Sequence, residues 1–477
     1  MILLNKCKNI YNIKMCIIDF LIISKYFVYF SLFLSCLSIN LLNYYILGNS
    51  NKILLKLLYN TINLNGYGMI KITQWYISRN QCFFDNKYID CLFSDFYENC
   101  YVHSVNYTKN IFYQEYLHEF DNVFTIDESY NIKSGSIAQV YLCYYKDNPD
   151  KDPVILKVVH PETEYQLYWL EKYMCLYNFI TKKIKFFNKF KISFDIYSFF
   201  DNIKLQTNMH NEFNNLKYYY DSYKNNDIYI IPTPIFATNN ILIMSYEEGI
   251  SFYDIDESDY KKSKIILLVT LFMKNNNFNL DYIYLDIHSG NWRVKKYNGD
   301  YKIIIYDFGY CVKNILRLDI KEFLYNCDYN NIEKVLGIIY NYVINIDISR
   351  QIFVYDILEY INKTVNNNNN NNNNNLNQNQ DYLLKAIEYC NINQYIVNNC
   401  LLEIIITRQI ISNLMNKYIY DNDNTNNYNK NIDIILYYNS ICKKYNMFPE
   451  LIEYHNCYYL SNDINYNINN TLHDTLD

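Results

Sequence analysis

Three short stretches carry residues whose types and spacing suit phosphoryl-transfer chemistry. Lys157 closes the apolar run Val154-Ile155-Leu156, where a lysine is either a solvated edge residue or a group that reaches inward to phosphates. Asp286-Ile287-His288-Ser289-Gly290-Asn291 follows, with an aspartate suited to face a nucleophile and an asparagine able to ligate a metal. Asp307-Phe308-Gly309 comes last, directly after the apolar run Lys302-Ile303-Ile304-Ile305-Tyr306. Taken singly, each stretch also has an ordinary structural reading. In this order they form one set, because ATP brings negative charge that must be countered where its phosphoryl group moves. Lys157 and Mg²⁺ held by Asn291 and Asp307 would supply that counter-charge, with positioning as the main catalytic contribution. Mg²⁺ suits these oxygen ligands.

The elements that must position these groups are legible as changes of hydrophobic period. Residues 50–120 are helical in pattern. From Asn122 short β-rich runs take over: VFTID, SIAQVYLCYY and PVILKVV, the last two joined by the polar turn KDNPDKD. A long helical stretch spans 161–223, followed by the β run ILIMSYEEG and the helical KKSKIILLVTLFMKNN. NWRVKKY and YKIIIYDFG flank Asn298-Gly299, which predicts a hairpin. Asn366 to Asn375 is an unbroken asparagine run that cannot build a core, hence a disordered insertion over 362–380. Helical periodicity returns over 381–460, and 461–477 is a polar tail.

Composition removes several function classes. A net charge of −6 argues against nucleic acid as the partner, since phosphate backbones call for a basic face. The 14 cysteines are scattered, with neither zinc-finger spacing nor a disulfide framework, and read as reduced thiols packed as small hydrophobes. The 56 tyrosines and the many asparagines and isoleucines reflect compositional bias, so single ones carry little weight. Tyr26 to Gly48 holds no charged residue, and Lys6, Lys8, Lys14 and Lys25 precede it. Its length allows a bilayer span or anchor; Asn40 and Asn43 allow the other reading, a buried helix pair.

Where a protein kinase would carry G-x-G-x-x-G-x-V, this chain has Lys133-Ser134-Gly135-Ser136-Ile137-Ala138-Gln139-Val140, keeping only the middle glycine. A loop with side chains there cannot lie as close to phosphates, so an ordinary protein kinase fits poorly. SGSIAQVY resembles instead the alanine-rich loop of the UbiB family of atypical kinase-like proteins, also called aarF-domain-containing kinases. VILKVVHP, YLDIHSGN and IYDFG are similar to that family's lysine strand, catalytic loop and metal-binding motif. GYGMIKITQWYISR, with Lys71 and Gln74, aligns with its K-x-G-Q extension.

The resemblance implies an α+β, bilobal protein-kinase-like fold with an N-terminal helical extension that folds over the active site. The segments are 1–50, hydrophobic; 51–120, the extension; 121–246, the N-lobe; and 247–460, the C-lobe. It implies that Lys157 contacts the ATP phosphates and Glu212 pairs with it, that Ser136 and Val140 line the nucleotide, and that Met244-Ser245-Tyr246 is the adenine hinge. Asp286 would be catalytic, and Asn291 and Asp307 would hold Mg²⁺. The departures are the family's E-x-D carboxylates, here Gln206 and Asn208; the K-x-G-Q glycine, here Thr73; and the catalytic loop's first histidine and both prolines, here Tyr284, Ile287 and Ser289. The implied activity is an ATPase or small-molecule kinase serving isoprenoid lipid (ubiquinone) metabolism. Membrane lipid or lipid-biosynthesis proteins would be its partners, at a membrane such as the mitochondrial inner membrane. The lost carboxylates leave a second possibility, an ATP-binding pseudokinase scaffold, and a Ser/Thr protein kinase is a third.

Overall fold

The computed structural model describes residues 2–48, 51–80, 96, 100–129, 132–148, 152–183, 195–255, 259–288, 290–314, 317–328, 331–368 and 381–415. Ser289, most of the Asn-rich insertion and everything beyond 415, including the polar tail, lie outside the described residues. The chain divides into two units. The first is 1–221, 232–247 and 308–310; the second is 222–231, 248–307 and 311–477.

The first unit opens with helices α1 (Ile2–Leu47), α2 (Lys52–Leu64) and α3 (Tyr67–Asn80). Asn51 starts α2 by accepting the amides of Ile53 and Leu54 on its side chain. Gly66, at φ +78°, turns the chain into α3, and a Cβ there would clash with Gln166 Oε1. That same oxygen accepts the Tyr67 amide at 2.9 Å, which ties the start of α3 to helix α6 (Thr163–Lys183). Helices α4 (Val105–Tyr116) and α5 (Phe120–Val123) lead into the sheet.

The sheet uses β1 (Phe124–Ile126), β2 (Lys133–Ser134), β3 (Ala138–Tyr145), β4 (Val154–Val159), β6 (Pro234–Ala237) and β7 (Ile241–Ser245). Its order is β1-β3-β4-β7-β6, antiparallel throughout, with β2 on β3. β4 is central and buried at all six positions, which is why it is apolar everywhere but at Lys157 rather than alternating. Val154, Leu156 and Val158 face a cluster with Phe112, Phe124 and Tyr141; Val159 faces the opposite side with Ala138 and Leu242. Lys157 shares that second side. The helical stretch read over 161–223 is three helices: α6, α7 (Ile196–Gln206) and α8 (Met209–Tyr223). Asp195 caps α7, and Asn208 accepts the His210 amide at 2.9 Å, restarting the helix.

Among the described residues, α1 is the helix whose apolar length allows a membrane span, over Ile23–Tyr44. It is also bound to its neighbours. Phe30 is buried in the cluster of α2, α3, α6 and α7, and several polar contacts cross from α1. Tyr26 Oη donates to Glu162 Oε2 at 2.7 Å, and Tyr173 Oη to the Ile23 carbonyl at 2.9 Å. Asn65 Nδ2 donates to the Tyr29 carbonyl at 2.9 Å, and Asn40 Nδ2 to that of Leu54 at 2.9 Å. Ser31, Ser35 and Ser38 satisfy themselves on carbonyls one turn back. Phe27, Leu42 and Ile46 remain exposed.

In the second unit β5 (Tyr229–Ile230) runs parallel to β10 (Asp300–Ile305), which pairs antiparallel with β9 (Trp292–Tyr297). Asn298 and Gly299, at φ 50° and 82°, close the predicted hairpin with two left-handed residues. β8 (Tyr282–Tyr284) pairs with β11 (Cys311–Lys313), and α9 (Asp259–Asn279) supplies a buried apolar core helix. The helices Arg317–Asp328, Ile332–Asn341, Arg350–Asn368, Asp381–Ile392 and Asn399–Met415 complete the unit. The third of these runs into the first asparagines of the Asn366–Asn375 run.

Because Phe30 anchors α1 in the extension's core, Phe30→Ala should destabilise the protein by about 3 kcal/mol, the cost of truncating a buried phenylalanine. A denaturant titration of the full chain checks this; a change within about 0.5 kcal/mol would mean that α1 is not part of the folded core.

Candidate functional site

Lys157 stands opposite Val140 on β3 and Leu242 on β7, at the middle of the sheet. Its Nζ lies 2.6 Å from Glu212 Oε1 on α8, and both residues are buried, at 7% and 2% exposure. Two charges so far from water persist only when paired at hydrogen-bonding distance. The geometry therefore excludes the solvated-edge alternative for Lys157. Glu212 is placed by the cap before it: the amides of Asn211 and Glu212 bond the Asn208 carbonyl, while the Asn208 side chain caps the helix. Asn208 thus has a structural task, and Gln206 is buried at the end of α7.

The loop entering β3 is folded as a tight turn. The Gly135 amide bonds the Ala138 carbonyl at 3.1 Å, and the His160 amide bonds that of Ile137 at 3.0 Å. Ser136 is buried, and its Oγ donates to Gln74 Oε1 on α3 at 3.2 Å. Gln74 Nε2 in turn donates to the Phe96 carbonyl at 2.5 Å. Gln74 and Ser136, expected in the extension and at the nucleotide, are thereby brought together. Lys71 lies one turn earlier on the same helix, half-buried. A Cβ at Gly135 would meet nothing closer than 3.7 Å, so no steric need fixes that glycine.

α8 does more than present Glu212. Three residues on, Asn215 Nδ2 donates to the Phe308 carbonyl at 3.0 Å; four further, the Tyr219 ring stacks on Phe308 at 4.8 Å. Phe308 is fully buried. The i, i+3, i+7 spacing puts all three on one helix face. One face of α8 therefore sets both the lysine's partner and the segment that follows Asp307. No sequence signal singled out Asn215 or Tyr219, in a chain with so many of each.

In the segment expected to be the hinge, Met244 is buried and pairs with Ile155. The Ser245 amide bonds the Thr233 carbonyl at 3.0 Å and the Tyr246 amide bonds that of Pro153 at 3.2 Å. Both donors are engaged within the first unit, so an adenine paired by these two amides would have to displace those bonds.

In the second unit, Asp286 to Asn291 forms a loop closed on itself. Asn291 Nδ2 donates to the Asp286 carbonyl at 2.9 Å, and the Asn291 amide bonds the His288 carbonyl at 2.9 Å. The Gly290 amide donates to His288 Nδ1 at 3.1 Å, leaving the proton on Nε2, which lies 3.7 Å from Asp286 Oδ1. Tyr284 is fully buried and donates to the Asp286 carbonyl at 3.0 Å. Burial and the nearby Asp286 and Asp307 carboxylates push its phenol well above the usual range, so it stays a donor. Ile287 is buried in the core. Tyr306 joins the loop to the strand before Asp307: its amide bonds the Asn291 carbonyl, and its Oη donates to that of Gly290 at 2.6 Å.

Asn291 and Asp307 offer oxygen donors only. Among the described residues no cluster of three or more His, Cys, Asp or Glu could cage a metal alone. This donor set fits Mg²⁺, which completes its shell with water and phosphate oxygens.

Residues 97–338, slightly more than half of the chain, match the ABC1 atypical kinase-like domain. The chain belongs to that family. Its matched region starts just before α4, so α1 to α3 with Lys71 and Gln74 precede the ABC1 domain, while Lys157, Glu212, Asp286, Asn291 and Asp307 all fall inside it. Among solved structures, the Rv3197–erythromycin complex from Mycobacterium tuberculosis is similar at 14% identity and a TM-score of 0.41, over 66% of this chain and 83% of that one. The Rio2 kinase–ADP/Mg²⁺–phosphoaspartate complex from Chaetomium thermophilum is similar at 14% identity and a TM-score of 0.27, over 50% of this chain and 68% of that one. No curated protein matches the chain.

Two buried histidines escaped assignment. His103 and His160 meet Nδ1 to Nδ1 at 2.8 Å, and burial lowers both, to about 4 and about 3 from the usual 6.5. The unfolded chain takes up protons there that the folded one refuses. Their contribution to stability is complete above pH 6.5 and is lost as pH falls from there toward the folded values. Denaturation midpoints should therefore fall between pH 7 and pH 5, more steeply in the wild type than in His103→Gln/His160→Gln. Glu212→Ala should cost about 3 kcal/mol in the same titration at pH 7, because it strands a buried ammonium.

Proposed function

We propose that this protein binds Mg-ATP and acts as an ATPase or small-molecule kinase of the UbiB type. The observation that carries the proposal is the buried Lys157–Glu212 pair at the centre of the sheet. An ion pair there is a poor way to stabilise a core, since a hydrophobic pair does as well or better. It is a good way to hold an ammonium for phosphate oxygens. In this reading Glu212 orients Lys157, whose Nζ donates to the ATP phosphates, while Ser136 and Val140 line the nucleotide. Asp286 accepts the proton of the attacking hydroxyl or water. Asn291 Oδ1 and the Asp307 carboxylate hold Mg²⁺, which when bound supplies positive charge against the phosphates. The Gln74–Ser136 bond supports an extension that closes over the loop and disfavours a peptide substrate.

A link to isoprenoid lipid (ubiquinone) metabolism, with membrane lipid or lipid-biosynthesis proteins as partners, is part of the same proposal. The exposed apolar side chains of α1 support attachment to a membrane such as the mitochondrial inner membrane. A second reading is a nucleotide-binding pseudokinase scaffold. Gln206 and Asn208 favour it, since neither amide brings the charge of a carboxylate and Asn208 is occupied as a helix cap.

Mg-ATP at a hundredfold its dissociation constant should stabilise the full chain by about 2.7 kcal/mol, read as a rise in melting temperature. The rise should need Mg²⁺ and vanish in Asp307→Ala and Lys157→Ala. Turnover of ATP to ADP separates the enzyme from the scaffold. An unshifted melt in well-folded protein would reject both.

A further inference from the structure

We propose that His103 and His160 are positioning residues, linked in a buried hydrogen-bond chain of fixed polarity that holds the loop around Ser136. The link to nucleotide binding rests on the function proposed above; the polarity does not.

The direction of every bond in the chain can be read from its two ends. At the first end, the Gly135 carbonyl can only accept, and it lies 3.1 Å from His160 Nε2. The Ser134 hydroxyl, 3.3 Å from the same nitrogen, gives its own proton to the Tyr101 carbonyl at 2.8 Å. His160 Nε2 therefore carries the proton and Nδ1 is an acceptor. His103 Nδ1, 2.8 Å away, must donate, which leaves His103 Nε2 without a proton. The Thr108 hydroxyl, 2.9 Å from it, then donates, and Thr108 Oγ1 accepts from the Tyr141 phenol at 2.7 Å. Tyr141 in turn accepts from Gln139 Nε2.

At the second end the Gln139 amide is fixed by backbone groups alone. Its Oε1 accepts the His103 amide at 2.8 Å, and its Nε2 donates to the His103 carbonyl at 3.2 Å. A flipped amide would face donor with donor and acceptor with acceptor. Both ends, read separately, demand the same direction.

The chain is dry: His103, Thr108, Gln139, Tyr141 and His160 are each at most 3% exposed. A wrong tautomer would strand buried donors and acceptors with no water to take them. What the chain holds is the turn around Ser136. The His160 ring binds the carbonyl of Gly135 and its backbone amide binds that of Ile137, so both neighbours of Ser136 hang on one residue. From the extension, the Tyr67 ring lies flat on the His160 ring, centroids 3.9 Å apart and planes at 4°. α3 thus reaches the loop twice, through Tyr67 and through Gln74.

The test is on the full chain, labelled with ¹⁵N-histidine, with long-range ¹H–¹⁵N spectra at pH 7 assigned by single His→Gln variants. His103 should appear as the neutral Nδ1–H tautomer and His160 as the neutral Nε2–H tautomer. Either tautomer reversed, or either ring charged, overturns the chain without reference to any variant's folding. Thr108→Val removes the hydroxyl that donates to His103, far along the chain from Ser136. It should release the His103 tautomer and weaken Mg-ATP binding about tenfold, the scale of one buried hydrogen bond. Thr108→Ser, which keeps the hydroxyl, should restore both. Released tautomers with unchanged Mg-ATP affinity would overturn the positioning role. If the wild type binds no nucleotide, that role falls with the proposed function, and the spectra still decide the polarity.

Discussion

The structure depends most on a charge placed where charge is expensive. Lys157 sits in a strand buried at every position, and removing an ammonium from water costs several kcal/mol that its 2.6 Å contact with Glu212 must offset. That requirement fixes its surroundings. β4 must be central, so that the lysine is reached from β3 and β7. A helix must present a carboxylate at one height above the sheet, which makes the start of α8 a fixed point rather than a variable loop end. The Asn208 cap meets that condition with both its carbonyl and its side chain.

Once α8 is fixed, its face carries the constraint further along the chain. Asn215 and Tyr219 hold Phe308, so the residue after Asp307 is located by the same helix that locates the lysine's partner. The β2–β3 loop is fixed from the other side, by α3 and by the buried histidines. The catalytic-type loop of the second unit relies on local closure instead. There Tyr284, Asn291 and Tyr306 satisfy the loop's own carbonyls by hydrogen bonds.

The parts of this arrangement that were legible in the sequence share a cause: they are encoded within a few consecutive residues. The lysine at the end of an apolar run, Asp-Phe-Gly after a strand and Asn-Gly between two strands each announce their own geometry. The three-helix division of 161–223 was not legible, because Asn208 looks like any other asparagine in a chain full of them until it is seen capping α8. The histidine chain was hidden for a different reason. Its members come from positions 103, 108, 139, 141 and 160, and only folding brings them together. The engagement of the Ser245 and Tyr246 amides with Thr233 and Pro153 was not legible either, because it is a property of pairing rather than of residue type. α1 reads equally as a span or as a buried helix because it has both faces: one docked through Phe30 and Tyr26, the other apolar and exposed.

The central claim, that the buried pair exists to place Lys157 on ATP phosphates, is tested most directly by chemistry at that nitrogen. The full chain would be treated with an acyl-phosphate derivative of ATP, which transfers its acyl group to a lysine beside the bound phosphates, and digested for mass spectrometry. The account predicts acylation at Lys157, suppressed by excess Mg-ATP. Acylation confined to surface lysines and indifferent to Mg-ATP would contradict it.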